Sequence, residues 1–277
     1  MLRFLEKPEI EDAQKEGYMC EHVLLLYSTV AYQTALYNDN FPVFIGRYDQ
    51  ADVILFGLKD RDEDRLGCVR DLAKTHVKFL NVATPEPLNI LPNTELKLPA
   101  WISRMDYHID VNQFDLNLKG RKYKSIRYRV SRAEKSGYRV KIGRNLTSSH
   151  VYLLAKHMTR HKYDPWEYEE MLSLERFFKE HNHGLMIEVY QEDKLLGFDV
   201  IDFLENKRIM VAPLGIYLKA PGVADFLMYE ELKYAKENCY EWLDVGSDCG
   251  EPKLRQFKEK WFAKPKYRIL YLSVKLN

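Results

Sequence analysis

Short runs of β-branched and aromatic residues alternate with longer amphipathic runs along the whole chain. In the first third, the short runs predict strands at 41–48, 51–58 and 77–83. Residues 48–50 have the composition of a turn, so the first two strands are expected to form a hairpin. Residues 60–76 predict a helix, because acids come early and basic residues late, as the helix dipole favours. The apolar run 21–45 fits either a helix or a strand-turn-helix.

A helical period dominates after residue 119. Apolar side chains recur at helical spacing from Tyr123 to Ala133 and the helix stop Gly137 follows, so 119–137 is predicted as a helix. The later elements are predicted as strand 138–143, helices 147–163 and 165–181, strands 184–191, 194–205 and 207–218, helix 222–238, strand 241–245, helix 251–262 and strand 266–275. The three successive strands predict an antiparallel meander. Helices and strands mixed around one sheet give an α/β fold class, with a mixed α+β sheet.

A proline-rich segment separates two parts of the chain. Residues 84–100 hold four prolines and have the composition of a linker. A length of 277 residues allows one large domain or two modest ones, and we expect them at 1–100 and 101–277. The first part contains a shorter version of the strand and helix order of the second, which raises the hypothesis of duplication.

Charge is nearly balanced, since Lys plus Arg number 42 and Asp plus Glu number 41. Binding to nucleic acid or membrane therefore has to rest on local clusters of charge. The 4 cysteines are scattered, which favours reduced thiols in a cytoplasmic protein over a disulfide or zinc framework. No run approaches the roughly 18–20 apolar residues of a spanning helix, so we expect a soluble protein, with peripheral membrane contact left open. His157 and His161 lack the Glu of a zinc-protease motif, and no metal site is expected.

The turn after the third meander strand is the first candidate site. Lys219 ends the strand, and Gly222, Val223 and Ala224 open the next helix. Small residues let a ligand approach the backbone, and the N–H groups at a helix N-terminus bind anions such as a pyrophosphate or a nucleotide 3′-end. An ordinary Pro-Gly helix start explains the same letters. Glu231 falls in the apolar half of this helix, where a buried acid is a candidate general base, unless its stem carries the carboxylate to solvent.

A basic cluster between residues 117 and 144 is the second candidate, with eleven Lys or Arg residues and a single acid. Those that lie off the apolar stripe and could grip phosphates of RNA, lipid or a nucleotide cofactor are Lys124, Arg127, Arg132 and Lys135. A solvated helix face, balanced by acids elsewhere, is the alternative. The density of cations nevertheless exceeds what solubility requires.

The third candidate is the end of strand 241–245 with the helix that follows it. Gly246 and Ser247 leave space at the strand end, and Arg255 and Lys258 lie three residues apart on one helix face. Fixed cations beside such a space could hold a phosphate or stabilise an oxyanion. A surface-charged helix that covers the sheet is the alternative interpretation.

Two stretches of the sequence resemble a known family. FDLNLKGRKYKSIRYRVSRAEKSGYRV (114–140) and LDVGSDCGEPKLRQFKEKWF (243–262) resemble signatures of the phosphatidylglycerol lysyltransferase C-terminal domain family, relatives of the Fem peptidyltransferases. The resemblance covers about residues 100–275. It implies a GNAT-like acyltransferase fold, often with two tandem halves, which would make 1–100 a degenerate half and 101–277 the catalytic half. GNAT proteins bind the coenzyme A pyrophosphate at an R/Q-x-x-G-x-G/A turn, and the turn from Lys219 to Ala224 is similar, with Lys first.

The resemblance implies an acyltransferase or aminoacyltransferase. An amine or hydroxyl acceptor would attack the activated carbonyl directly, without a covalent enzyme intermediate. The donor would be acyl-coenzyme A or aminoacyl-tRNA, with no covalently bound cofactor, and the acceptor a small molecule, a peptide or a lipid. The membrane-embedded half of the lysyltransferases has no counterpart in this sequence, so we expect phosphatidylglycerol to be a weak candidate acceptor.

Residue roles follow from the same resemblance. Gly222 to Ala224 would hold the phosphates of the donor, and Lys258 with Arg255 would stabilise the oxyanion or anchor a phosphate. The basic cluster would grip tRNA. The resemblance does not assign the catalytic base: Glu231 and Asp248 are the candidates from the residues themselves, and a reaction that needs no base beyond water is the alternative. The alternative is an inactive GNAT-like module that binds RNA or an anionic membrane surface through residues 117–144.

Overall fold

The structure is a computed structural model that describes residues 2–4, 32–37, 41–48, 51–56, 79–84, 102–161, 184–204, 208–248 and 250–275. Its contacts divide the chain into two compact units. The first unit comprises Met1–Tyr107, Ser247–Arg255 and Pro265–Asn277, and the second comprises His108–Gly246 and Gln256–Lys264. The predicted halves 1–100 and 101–277 stay a prediction.

The first unit is built on a sheet. Its strands are β1 (Leu2–Phe4), β2 (Tyr32–Tyr37), β3 (Phe41–Tyr48), β4 (Ala51–Phe56), β5 (Phe79–Thr84), most of β6 (Ile102–Asp110) and most of β12 (Lys264–Lys275). They are ordered β1-β2-β3-β4-β5-β12-β6. The predicted hairpin is confirmed, because β3 pairs antiparallel with β4 from Val43↔Phe56 to Tyr48↔Ala51. Strand β5 is also confirmed, and it pairs parallel with β4.

For the rest of this unit, the structure either differs from the predictions or does not describe the residues concerned. Strand β2 forms within the apolar run 21–45, where the sequence left helix and strand-turn-helix open. The predicted helix 60–76 and residues 85–100 of the predicted linker lie outside the described residues. Strand β6 was not predicted, because charged residues interrupt the apolar pattern of ISRMDYHID.

The second unit holds a sheet ordered β11-β10-β9-β8-β7. Its strands are β7 (Tyr138–Gly143), β8 (Leu185–Gln191), β9 (Lys194–Leu204), β10 (Ile209–Tyr217) and β11 (Trp242–Ser247). The helices are α1 (Lys124–Lys135), α2 (Ser148–His161), α3 (Val223–Glu237) and α4 (Pro252–Lys260), of which α4 begins in the first unit. Among the described residues, no helix combines the length and the apolar character needed to cross a membrane.

The predicted meander and the predicted basic helix are both confirmed. Strands β8, β9 and β10 pair antiparallel in chain order, and Glu192 lies in the tight turn between the first two. A 3-10 turn at Arg121–Tyr123 leads into α1, which ends just before Gly137. Gly137 has a φ of 75°, the left-handed conformation that terminates helices. The predicted helix 165–181 lies outside the described residues.

Helices α2 and α3 cover opposite faces of the second sheet. In β9, the ring of Phe198 meets His150 of α2 edge-on, with 4.9 Å between the ring centroids. The next residue, Asp199, is hydrogen-bonded to Glu231 of α3. Successive side chains of a strand point to opposite faces, so the two helices sandwich the sheet. Helix α1 packs on α3 and buries Ile126, Val130 and Ala133.

A buried polar cluster fixes the start of α2. The backbone N–H of Thr147 donates to His150 Nδ1 at 3.1 Å, so the ring proton lies on Nε2, 3.6 Å from Glu188 Oε1. Tyr190 donates its hydroxyl proton to Glu188 at 2.6 Å. Burial raises the pKa of Glu188, but the nearby His150 ring and the hydrogen bond from Tyr190 outweigh burial and hold that pKa below its usual value. The cluster is a capping box in which His150 replaces the usual Glu, and it has a structural role.

Candidate functional site

The parallel strands β10 and β11 separate towards their carboxyl ends. Their register runs from Ile209↔Trp242 to Val211↔Asp244. Among the described residues, no further pair joins them, although β10 continues to Tyr217 and β11 to Ser247. A register shift between β9 and β10 lies at the same level, between Val211 and Leu214. We call the space between 214–217 and 245–246 the strand opening. Ligands of α/β proteins bind at the carboxyl ends of parallel strands.

Two buried carboxyl groups meet beside the strand opening. Asp199 of β9 is 8% exposed and Glu231 of α3 is 2% exposed, and their side chains are hydrogen-bonded. Burial raises the pKa of Asp199 to about 6, although the hydrogen bond from Glu231 lowers it. Burial and the neighbouring Asp199 charge raise the pKa of Glu231 well above its usual value. The hydrogen bond raises the pKa of Glu231 and lowers that of Asp199, so Glu231 is the partner that holds the proton and donates it to the Asp199 carboxylate.

Gly215 makes room for this acid pair. It lies directly opposite Asp199 in the β9–β10 ladder, and a Cβ atom at position 215 would collide with Oδ1 of Asp199. The atom in its way is the end of a flexible side chain rather than backbone. A methyl group here would therefore move the carboxylate and leave the strands in place.

We predict that Gly215→Ala separates the effect on the site from the effect on the fold. The melting temperature should change little, because the Asp199 side chain can rotate away from the new methyl group. The hydrogen bond between Asp199 and Glu231 should be lost, so the pKa of Asp199 loses the lowering effect of that bond and the pKa of Glu231 loses its raising effect. Carboxyl titration by NMR and thermal melting measure the two effects. A variant that melts normally and retains the titration of the wild type would contradict this role of Gly215.

Lys258 places a buried cation at the other side of the strand opening. Its side chain is 4% exposed, and Nζ donates to the carbonyl oxygens of Val245 and Gly246, the latter at 2.7 Å. Its charge lowers the pKa of Glu231, so the ammonium group lies near that carboxyl. The predicted Lys258 thus anchors the end of β11. Glu231 therefore has both the Asp199 carboxyl group and the Lys258 cation in its surroundings.

The turn after β10 begins α3 at Gly222. Gly222 has a φ of 82°, and a Cβ atom there would lie 3.2 Å from the carbonyl oxygen of Arg129 in α1. Glycine is needed for this conformation and for the close contact with α1. Lys219 is exposed, Val223 is buried and Ala224 is half-buried. The phosphate-binding role of these residues stays a prediction.

Asp225, in the first turn of α3, was not singled out from the sequence. It is buried, and it accepts hydrogen bonds from Lys260 and from Trp261 Nε1, the latter at 3.1 Å. Arg129 of α1 lies 3.5 Å away. Burial lowers the pKa of Lys260, whereas its contact with Asp225 raises it. The carboxylate therefore ties the start of α3 to α1 and to the end of α4.

The predicted basic residues of α1 are all exposed: Lys124, Arg127, Arg132 and Lys135. Arg127 donates to the carbonyl oxygens of Leu118 and, at 3.4 Å, of Gly120, so it also holds the loop before the helix. The others remain candidates for phosphate contacts. Since α1 touches Gly222, this basic surface adjoins the turn that opens α3.

Arg255 and Asp248 form an ion pair in the first unit. Arg255 Nε and Nη2 approach Asp248 Oδ2 at 3.0 and 2.8 Å, and Gly250 N–H donates to Asp248 Oδ1 at 3.1 Å. Asp248 is buried, whereas Arg255 is about half exposed. Gly246 is buried and Ser247 is half-buried. In the structure, the predicted cation Arg255 and the candidate base Asp248 are therefore paired with each other.

The sequence did not reveal Asp199. The sequence feature that could have revealed it is an acidic residue within the apolar strand GFDVIDF, because a buried strand position rarely carries an acidic side chain without a polar partner. Asp202 interrupts the same apolar pattern, so the pattern alone did not distinguish Asp199. In the described part of the chain, no group of three His, Cys, Asp or Glu residues is arranged to hold a metal ion.

A cavity of about 290 Å³ lies elsewhere in the second unit. Its lining includes the aromatic side chains of Phe114, Trp242 and Phe262, with Lys122 at its edge. Trp242 is the first residue of β11, whereas the strand opening lies at the end of that strand. The cavity is therefore distinct from the acid pair.

Comparisons with known proteins agree with this architecture. The sequence model for "Phosphatidylglycerol lysyltransferase, C-terminal" matches residues 102–272. No curated protein sequence matches the chain. The structure of L-PGS from Bacillus licheniformis is similar with a TM-score of 0.67 and 17% identity, covering 99% of this chain and 93% of that one.

Two further solved structures extend the likeness in fold. A tandem GNAT protein from the clavulanic acid biosynthesis pathway has a TM-score of 0.64 and 9% identity, covering 100% of this chain and 98% of that one. FemX has a TM-score of 0.59 and 10% identity, covering 98% of this chain and 96% of that one. The expected GNAT-like fold is confirmed, and the likeness to a tandem GNAT protein runs over the full length of the chain.

Proposed function

Because the chain belongs to the phosphatidylglycerol lysyltransferase C-terminal family, we propose that it is an aminoacyltransferase that uses aminoacyl-tRNA and an amine acceptor. Acyl-coenzyme A is the competing donor, and a hydroxyl group is the competing acceptor. The observation that carries the proposal is the strand opening with a pair of buried acids that share one proton on one side and a buried ammonium group on the other. A titratable pair and a fixed cation beside a cleft are what acyl transfer requires.

The chemistry is a direct attack on the donor ester. The acceptor nitrogen bonds to the carbonyl carbon, and the bond from that carbon to the ribose oxygen breaks. Negative charge develops on the carbonyl oxygen during the attack. The positive field of Lys258 beside the opening would stabilise that charge, and the Asp199–Glu231 pair, which holds one proton and one negative charge, would take the proton that the nitrogen loses. No covalent bond to the protein is needed.

The preference for tRNA rests on the basic surface of α1. The backbone of α1 contacts Gly222, so the turn proposed to hold donor phosphates continues into exposed cations. A coenzyme A molecule needs only the turn, whereas a tRNA acceptor stem extends beyond it. The basic surface therefore supports the longer polyanion.

The test compares the two donors in one assay. Labelled aminoacyl-tRNAs and labelled acyl-coenzyme A are offered separately, with a cell extract of lipids and small molecules as the acceptor pool. We expect label to pass from tRNA into an amide. A product from acyl-coenzyme A alone would contradict the proposed donor, and no product from either, with salt-dependent tRNA binding, would favour the inactive binding module.

We predict that removing three cations of α1 weakens transfer from tRNA by about tenfold or more at low salt and makes transfer less dependent on salt concentration, because fewer counterions are released on binding. The variant is Lys124→Ala, Arg132→Ala and Lys135→Ala together, since Arg127 also supports a loop. A matched control removes three exposed lysines elsewhere, Lys156, Lys194 and Lys253. The measurement is kcat/KM at several salt concentrations. Equal losses in both variants would contradict a specific role for the α1 surface.

A further inference from the structure

We propose that Glu231 and Asp199 act as a two-carboxyl proton relay for the transfer reaction. Glu231 takes a proton from the acceptor nitrogen on Oε2 and passes the proton that it already holds, from Oε1, to Asp199. Glu231 is the catalytic residue of this pair, and Asp199 acts through it as a positioning residue. The inference rests on the proposed function and adds the path of the proton and the class of the acceptor.

The geometry supplies a vacant acceptor in a buried place. Glu231 Oε2 is fully buried and has no hydrogen-bond partner among the described residues. In the proposed relay, the proton shared with Asp199 lies on the other oxygen, Oε1. A buried oxygen without a donor costs free energy in the unliganded protein. An N–H group of a bound substrate would satisfy it.

The direction of the shared hydrogen bond follows from the two environments. Lying deeper, Glu231 keeps its proton and donates it to Asp199, which stays ionised at neutral pH. A carboxyl group that is donating through one oxygen can accept through the other at the same moment. Glu231 would then remain neutral throughout, and the charge change would fall on Asp199.

Other charged or titratable groups face the pair from the neighbouring elements. Lys258 of α4 lowers the pKa of Glu231. Partial burial and the Asp199 carboxylate raise the pKa of Tyr217 in β10. On α3, Glu230 has a pKa raised by burial, and it contacts Lys233 on the outer side of the helix. These groups form the electrostatic environment in which Asp199 and Glu231 titrate.

The proton balance favours an amine acceptor. Once its nitrogen has bonded to the carbonyl carbon it carries a positive charge, and its N–H group becomes acidic enough for a weak base. A hydroxyl acceptor would need a much stronger base at the moment of attack. The relay takes one proton from nitrogen, the leaving ribose oxygen takes one from solvent, and the pair later returns its extra proton to solvent.

The first test needs no substrate. The carboxyl groups of Asp and Glu are labelled with ¹³C, and their chemical shifts are followed from acid to alkaline pH. We expect one carboxyl group to titrate near pH 6 and a second to lose its proton only at a higher pH than the first. Asp199→Asn should remove the first and Glu231→Gln the second, whereas Glu230→Gln should leave both. Loss of both protons near pH 6 or below would overturn the relay.

The second test is the pH dependence of transfer. Because Asp199 must be ionised to accept a proton, wild-type kcat/KM should fall as the pH drops through about 6. In Asp199→Asn, Glu231 can still donate its hydrogen bond, yet the relay has no final acceptor. The rate should drop about 10²-fold, and the fall near pH 6 should vanish. If Asp199→Asn lowers the rate but its kcat/KM still falls near pH 6, Asp199 has only a structural role, and the relay is overturned.

The two tests also separate this inference from the proposed function. If the two carboxyl groups titrate as expected but no donor yields a product, the acid pair is supported and the proposed aminoacyl transfer is refuted. If transfer occurs but the two carboxyl groups do not titrate as expected, the proposed function is supported and the relay is overturned. Far-UV circular dichroism and melting of both amide variants verify that each retains the fold.

Discussion

Glu231→Gln is expected to lower the rate of aminoacyl transfer by about 10³-fold while the protein stays folded. The glutamine amide has the same shape as the protonated carboxyl group. Its NH₂ group can donate to Asp199, and its oxygen can occupy the position of Oε2. The amide cannot pass a proton from one atom to the other, so only the chemical step is affected. Single-turnover measurements with saturating enzyme report that step.

A matched control lies on the next position of the same helix. Glu230 is half-buried and has a raised pKa of its own, but it contacts Lys233 rather than the strand opening. Glu230→Gln should leave the single-turnover rate within about twofold of wild type. Full activity of Glu231→Gln, or equal losses in both variants, would refute the role of Glu231 as the proton acceptor.

Lys258→Met should both destabilise the protein and abolish transfer. Methionine fills a similar volume but leaves the carbonyl oxygens of Val245 and Gly246 without their buried donor. Such a loss costs about 3 kcal/mol of the free energy of unfolding. The negative charge that develops in the reaction also loses its neighbouring cation. Urea denaturation measures the first effect, and transfer by the folded fraction measures the second.

The control for Lys258 is an exposed lysine on the same helix. Lys253 is solvent-exposed near the start of α4, and Lys253→Met should change neither stability nor rate. Arg255→Ala should have an intermediate effect, because it leaves the buried Asp248 carboxylate without its ion pair. A Lys258→Met protein with wild-type stability and activity would exclude Lys258 from both roles.

Local sequence patterns were sufficient where one face of an element is buried. The period from Tyr123 to Ala133 and the stop at Gly137 predicted α1 because that apolar stripe packs on α3. The meander was predicted for a similar reason, since tight turns separate three apolar strands. Strand β6 escaped prediction because its charged residues break the alternation on which such patterns depend.

The sequence could not predict which groups the charged side chains contact. Asp199 and Glu231 are 32 positions apart, and their contact requires α3 to lie across β9 and a glycine to lie opposite Asp199 at position 215. The same limit applies to cations. Nothing in the order of residues reveals that Arg127 holds a loop or that Lys258 binds the carbonyl groups of a strand end. Their predicted contacts with a donor stay predictions.

The most direct test of aminoacyl transfer at the strand opening is a single-turnover assay with labelled aminoacyl-tRNA. Wild-type protein and Glu231→Gln are each mixed with the charged tRNA and the extract of candidate acceptors at neutral pH. We expect the label to move from tRNA into an amide with wild type and to stay on tRNA with Glu231→Gln. Equal transfer by both proteins, or none by either, would contradict aminoacyl transfer with Glu231 as the proton acceptor.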